Sequence, residues 1–332
     1  MTLDQVISDI VYNRDVQKLL MQPDLKQPYG EVTQFQIDEC EDNDTSINNE
    51  GFQIGEPFDG DIENAPVLFL SSNPAFNFDE VSPRYFHESD KVFMPEHISA
   101  TKRIKSSELN PNIEYSFDET RKRFIEPQKE MSFDEIKTFL KTRIQTSPAR
   151  NDEDQTLRIP LRDGGTIGVP YWTCVRNNTE LLLPSDLTAS WTKLKPSQKV
   201  RKVMEYAVCM EIVPFKSNRE KGVAKAKDTC WSNFTKHLLE LSGASVIVLV
   251  GNKVLDSFVS HIASGVRGTL EARKVYSCNI GDKDRLIVKV DFAEGKMRRF
   301  ASFFNDGVIG QLQKAVSASP LVQKAIKNPV NN

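Results

Sequence analysis

Four short apolar-rich runs set the terms on which this chain can fold: residues 66–70, Val208–Val213, Val246–Val250 and Leu286–Phe292. Runs of this length that are apolar on both faces read as strands covered from above and below. Helical patterns lie between them. One spans Ser197 to Tyr206. A second starts at Asp228 as N-cap, runs through Leu241 to end at Gly243, and carries Trp231, Phe234, Leu238 and Leu241 on its apolar face. A third covers about Lys253 to Ile262, and a last one about 296 to 316, with Phe300, Phe303, Phe304, Val308 and Leu312 as core residues. Strands that alternate with crossover helices predict an α/β fold, here a mainly parallel four-stranded sheet with helices on both faces.

The remainder of the 332 residues is less regular. Leu3, Val6, Ile7, Ile10, Val11, Val16, Leu19 and Leu20 have helical spacing, which predicts an N-terminal helix over 3–21. Residues 36–63 read as loop. Residues 79–168 are polar and punctuated by prolines, so they read as a long insertion or small helical subdomain around one helix, Ser132 to Arg143. The expected organisation is an N-terminal helical arm with an acidic loop (1–45), an α/β domain (46–320) containing that insertion, and a tail (321–332). Met1 to Asp15 lacks the apolar core of a signal peptide, and the run Val246–Val250 is far too short to cross a bilayer. Five cysteines without a CxxC pair and four histidines without ligand spacing argue against a metal centre and suit a reducing cytoplasm.

Charge is unevenly spread. Residues 36–63 hold ten acids and no lysine or arginine, so a chain of net charge −3 leaves +7 on the rest. Basic residues gather at 102–105, 193–202, 216–227 and 296–299. Such patches can hold a phosphate backbone.

In open α/β sheets, ligands collect where the chain leaves the carboxyl ends of the strands. The first strand empties there into Ser71-Ser72-Asn73-Pro74-Ala75-Phe76. The second offers Glu211 and then Pro214-Phe215-Lys216-Ser217. The last offers Asp291, Glu294 and Gly295, with Lys296, Arg298 and Arg299 beyond. Two acids, an amide, aromatic rings and flanking cations could hold a base beside a phosphate backbone.

This pattern resembles the uracil-DNA glycosylase superfamily over roughly residues 50–316, apart from the insertion. The family's first motif is similar to Ser71-Ser72-Asn73-Pro74-Ala75. Gly55-Glu56-Pro57-Phe58-Asp59-Gly60 resembles the stretch upstream of it in bacterial members. Glu211 falls near the base-reading position. Asp291-Phe292-Ala293-Glu294-Gly295, followed by Phe300, Phe303, Phe304 and Asn305, stands where the family has His-Pro-Ser and an aromatic helix. The resemblance implies a DNA glycosylase that needs no metal or organic cofactor. Asn73, Asp291 and Glu56 are then the catalytic candidates. Ala75, Phe76, Glu211, Trp172 and Phe215 would receive a flipped base, and Lys216, Ser217, Lys296, Arg298 and Arg299 would hold DNA phosphates.

The departures shape the expected substrate. Ala75 is small where the family places a tyrosine that blocks bulky 5-substituents. Glu211 can accept a hydrogen bond from the exocyclic amine of cytosine. A cytosine leaves poorly unless its ring is protonated, and Glu211 or Asp291 with a raised pKa could supply that proton. The expectation is therefore excision of a modified, cytosine-like pyrimidine, and some bacterial proteins resembling this group do this to phage DNA as a defence. Three other readings remain open: a glycosylase fold that binds DNA or nucleotide without catalysis, a small-molecule enzyme on a flavodoxin-like sheet, and an interaction protein acting through its acidic loop.

Overall fold

The computed structural model describes residues 1–12, 52–72, 74, 80–85, 91–95, 116–118, 123–125, 128–146, 151–161, 165–216, 223–293 and 296–328. Its centre is a sheet of six strands: β1 (Phe58–Asp59), β2 (Val67–Ser71), β3 (Ala207–Glu211), β4 (Val246–Val250), β5 (Tyr276–Ile280) and β6 (Lys283–Val290). They lie in the order β5-β6-β4-β2-β3-β1. The inner four are parallel, and each edge strand is antiparallel to its neighbour. The sheet is thus mixed and six-stranded, where the sequence predicted four mainly parallel strands. Neither edge strand announces itself: β1 is two residues long, and β5 alternates with only one residue fully covered.

The inner strands are apolar on both faces because each face carries its own core. Leu68, Leu70, Val208, Met210, Ile247 and Leu249 point one way, into a layer that includes α1 (Leu3–Val11), most of α2 (Phe133–Thr146) and helix 223–241. Val67, Phe69, Cys209, Val246 and Val248 point the other way, onto α3 (Pro170–Leu182), α4 (Pro196–Met204) and further helices of the C-terminal third. Full burial of each such side chain stabilises by about 1.5–3 kcal/mol. The helix Asn252–His261 (α5) follows β4 directly, and Asp306–Ser317 (α6) packs on the second face.

Several sequence expectations need correction. The N-terminal helix is described over Leu3–Val11 and is no separate arm, since Val6, Ile7, Ile10 and Val11 are buried in the main core; residues 13–21 lie outside the described residues, as do 36–51. The rest of the acidic stretch is not solvated loop: Ile54, Glu56, Phe58 and Ile62 are buried. Within 79–168 the described residues include seven short strands beside the one helix, with Arg84–Tyr85, Val92–Pro95 and Gln128–Met131 in a second, antiparallel sheet. The helix placed from Asp228 starts earlier, at Val223, and passes through a π-helical turn at Trp231–Thr235. The last predicted helix is broken. Phe292–Ala293 and Lys296–Met297 form a hairpin, and Asn305 restarts the helix by accepting from the Val308 backbone N–H at 3.0 Å. The tail is also part of the fold, because Pro320–Lys327 is helical and buries Val322. No helix among the described residues is long and apolar enough to cross a membrane.

Candidate functional site

Numbered by their own succession, the four parallel strands lie in the order 2-1-3-4, as in flavodoxin-like sheets. Chain direction across such a sheet reverses between its first and third strands, here β2 and β4, and a crevice opens outside their carboxyl ends. A cavity of about 740 Å³ occupies that place. Ser71 at the end of β2 and Ser72 after it, Glu211 at the end of β3 and Val250-Gly251 at the end of β4 all line it. Gly251 has φ +87°, a conformation that side chains disfavour, and it lets α5 start at once after the strand. The first residues of α5, Asn252 and Lys253, and of α3, Tyr171 and Trp172, also border the cavity.

The turn after β2 is fastened on one side. The Ile212 and Val213 backbone N–H groups donate to the Ser71 and Ser72 carbonyls at 2.9 Å, continuing the ladder past the strand ends. The Ser71 hydroxyl donates to Glu211 Oε2 at 2.7 Å, which fixes the carboxylate at the cavity wall. Beside them the Tyr171 hydroxyl is held protonated: burial raises its pKa well above the ordinary value, and Cys209 and Glu211 add to this.

The floor is a buried ionic cluster. Arg143, near the end of α2, donates to Glu56 and to Glu80, and its Nη1 reaches Asp59 Oδ1 at 3.2 Å. Lys216 Nζ lies 3.1 Å from Glu56 Oε1 and 3.0 Å from Glu80 Oε2. The Arg143 guanidinium sits 5.4 Å from the centre of the Trp172 ring. Glu56 and Asp59 do not titrate alike. Burial pushes Glu56 up, but Arg143 and Lys216 outweigh it and hold its carboxyl below the usual range. For Asp59 burial outweighs Arg143, and Glu56 reinforces it, so this carboxyl is raised. Burial lowers Lys216 to about 8, against the pull of Glu56 and with help from Arg143.

The fold gathers four of the site residues expected from sequence: Glu56, Glu211, Trp172 and Lys216 all line the cavity. Lys216 and, away from the cavity lining, Phe215 take other roles than expected. Lys216 is 1% exposed and paired with carboxylates, so it is no surface phosphate contact. Phe215 is 2% exposed in the core beside α1, where a side chain on Gly55 would meet it, and it cannot stack on a base. Asp291 is the ion-pair partner of Lys289 and does not border the cavity. Lys296, Arg298 and Arg299 are exposed along the hairpin and the segment after it. Asn178 of α3 anchors that segment, accepting from the Phe300 N–H at 2.9 Å and donating to the Arg298 carbonyl at 3.1 Å. Asn73, Ala75, Phe76 and Ser217 lie outside the described residues.

Sequence reasoning missed Asp59, Glu80, Arg143, Tyr171 and the rim residues Ile167 and Phe292. These last two stand with Met1 as the exposed large hydrophobics of the described chain, and both border the cavity. Phe292 meets the Tyr171 ring edge-on, at 6.4 Å between centres. Arg143 lies 87, 84 and 63 residues from its three acids, so no local pattern could flag it.

The fold and cavity define a doubly wound α/β protein with a carboxylate-rich, aromatic-walled pocket at its switch point. No known family, curated protein or solved structure matches the chain.

Proposed function

We propose that this chain is a DNA glycosylase of uracil-DNA glycosylase type that hydrolyses the N-glycosidic bond of a modified, cytosine-like pyrimidine and leaves an abasic site. The observation that carries the reading is Glu211: a carboxylate fixed by Ser71 in the switch-point cavity, which aromatic rings also line. A flat heterocycle with an exocyclic amine fits such a slot, because the carboxylate accepts from the amine and the rings cover the base. Tyr171, Trp172 and Phe292 supply the rings. Leaving cytosine needs a proton, and Asp59 replaces Asp291 as its donor: Asp59 borders the cavity and burial keeps its carboxyl protonated to higher pH, whereas Asp291 is held by Lys289. The attacking water is assigned, on sequence alone, to Asn73.

Phosphate contacts fall to exposed groups: Lys253 at the start of α5, where the helix dipole adds to its charge, and Lys296, Arg298 and Arg299 beside the hairpin. On this reading the protein acts as a monomer in the cytoplasm and serves defence against phages with modified genomes. The test is base release from a panel of DNAs carrying natural and hypermodified cytosines, single- and double-stranded. Free base from at least one modified DNA is expected. Tight, salt-dependent binding without release from any of them would leave a non-catalytic DNA-binding protein.

A further inference from the structure

The glycosylase reading gives Lys216 no task, yet among the described residues it is the buried lysine that borders the cavity. Its Nζ lies within 3.1 Å of two carboxylates, in the wall of a cavity large enough for a sugar. Surface lysines are solvated and fully charged at neutral pH, which makes them poor nucleophiles. Lys289 is also buried, but Asp291 holds it and it does not border the cavity. Lys253 borders the cavity from the exposed side. If the cluster needed only counter-charge, arginine would serve at position 216, since a guanidinium keeps its proton. A lysine there adds a group that can release one.

We propose that Lys216 forms an imine with the aldehyde carbon, C1′, of an abasic deoxyribose, giving this chain a strand-cleaving lyase activity toward abasic DNA. The proposal rests on the reading of the cavity as a DNA-sugar site. The chemistry balances within the cavity. Glu80 takes a proton from the ammonium, and neutral Nζ attacks C1′. The carbonyl oxygen leaves as water once that proton and the second amine proton have been transferred to it, and a C=N bond remains. The protonated imine acidifies C2′, and the Glu56 or Glu80 carboxylate takes the C2′ proton. The electron pair moves to break the C3′–O bond, and the phosphate leaves with that pair. Water then hydrolyses the imine, returning free lysine and an unsaturated aldehyde on the cut strand. Burial lowers the lysine to about 8, which leaves a working fraction of neutral amine near neutral pH. The two carboxylates stand where a proton relay is needed.

The experiment uses the full chain and an oligonucleotide bearing one preformed abasic site, with and without borohydride, which reduces an imine to a stable secondary amine. The expected result is a covalent protein–DNA adduct that peptide mass mapping places on Lys216. Without borohydride, the strand should break at the abasic position, at a rate that rises as pH passes through about 8. Lys216→Arg keeps the counter-charge and should lose both adduct and cleavage, with folding checked by thermal melting; the mapping on wild type stands even where that variant fails to fold. No adduct, or an adduct on another lysine or on the terminal amine, overturns the proposal. Because the abasic site is supplied, the two readings separate. Base release from modified DNA with intact strands and no adduct removes the lyase alone. An adduct on Lys216 without base release from any modified DNA keeps the lyase and removes the glycosylase.

Discussion

Arg143 and Arg285 are both arginines shielded from water, and they stand at opposite ends of the sheet. Arg285, near the start of β6, is 1% exposed and donates to neutral groups: the carbonyls of Ala244 at 2.8 Å and Ser242 at 2.9 Å, and the Ser242 hydroxyl at 2.6 Å. Arg143, at the carboxyl end, meets Glu56, Asp59 and Glu80, with Lys216 on the far side of the two glutamates. The first arrangement ties the loop between helix 223–241 and β4 to the sheet. The second concentrates charge around a cavity. An ionic cluster is a costly way to fill a core, since desolvation offsets most of what the pairing gains. This cluster lies at the switch point and borders the cavity.

The largest effect that separates the two ends is expected for Arg143→Met. It leaves Asp59 without its cation and Glu56 and Glu80 with Lys216, and should destabilise the fold by about 3–5 kcal/mol in urea unfolding. A loss under about 1 kcal/mol would mean that the acids are neutral in the native protein. Arg285→Met comes next, at about 1.5–3 kcal/mol for lost charge-assisted bonds, with DNA affinity of the folded fraction unchanged. A drop in that affinity would erase the contrast between a lock and a site. Phe292→Ala should leave stability within about 0.5 kcal/mol, because the ring is half exposed. It should weaken single-stranded DNA binding by about 1–3 kcal/mol, the worth of one base stack, as read by fluorescence anisotropy.

The smallest effect is a pH slope. Glu56 is held below its ordinary value by Arg143 and Lys216 against burial. Its contribution is therefore present above the unfolded carboxyl value and lost as pH falls through the folded one. Glu56→Gln should flatten the acid limb of a stability–pH curve. An unchanged limb would show that its carboxyl is not ionised in the native protein.

The inner strands were legible because burial on both faces removes polar alternation, and Val246–Val250 reads directly as β4. Helix α2 was legible too, since Ile136, Leu140 and Ile144 recur at helical spacing. The edges were not. Tyr276–Ile280 is covered on one side only, and the acids around Phe58–Asp59 imitate a solvated loop until Arg143 and Lys216 come to them through the fold. For the same reason Glu56 looked like a catalytic candidate at the end of a loop, while its partners make it part of an ionic floor. Glu211 was visible as a polar residue ending an apolar run, although its neighbour Tyr171 lay in a stretch without a strand signal.

The central claim is that Glu211 reads the amine of a cytosine-like base. Its most direct test is the rate of free-base release from hypermodified-cytosine DNA by wild type and by Glu211→Gln, which keeps the shape and the Ser71 contact but removes the charge. The account predicts release by the wild type and a loss of about 10- to 100-fold in the variant, the range of one base-reading contact. Equal release by both proteins would contradict it.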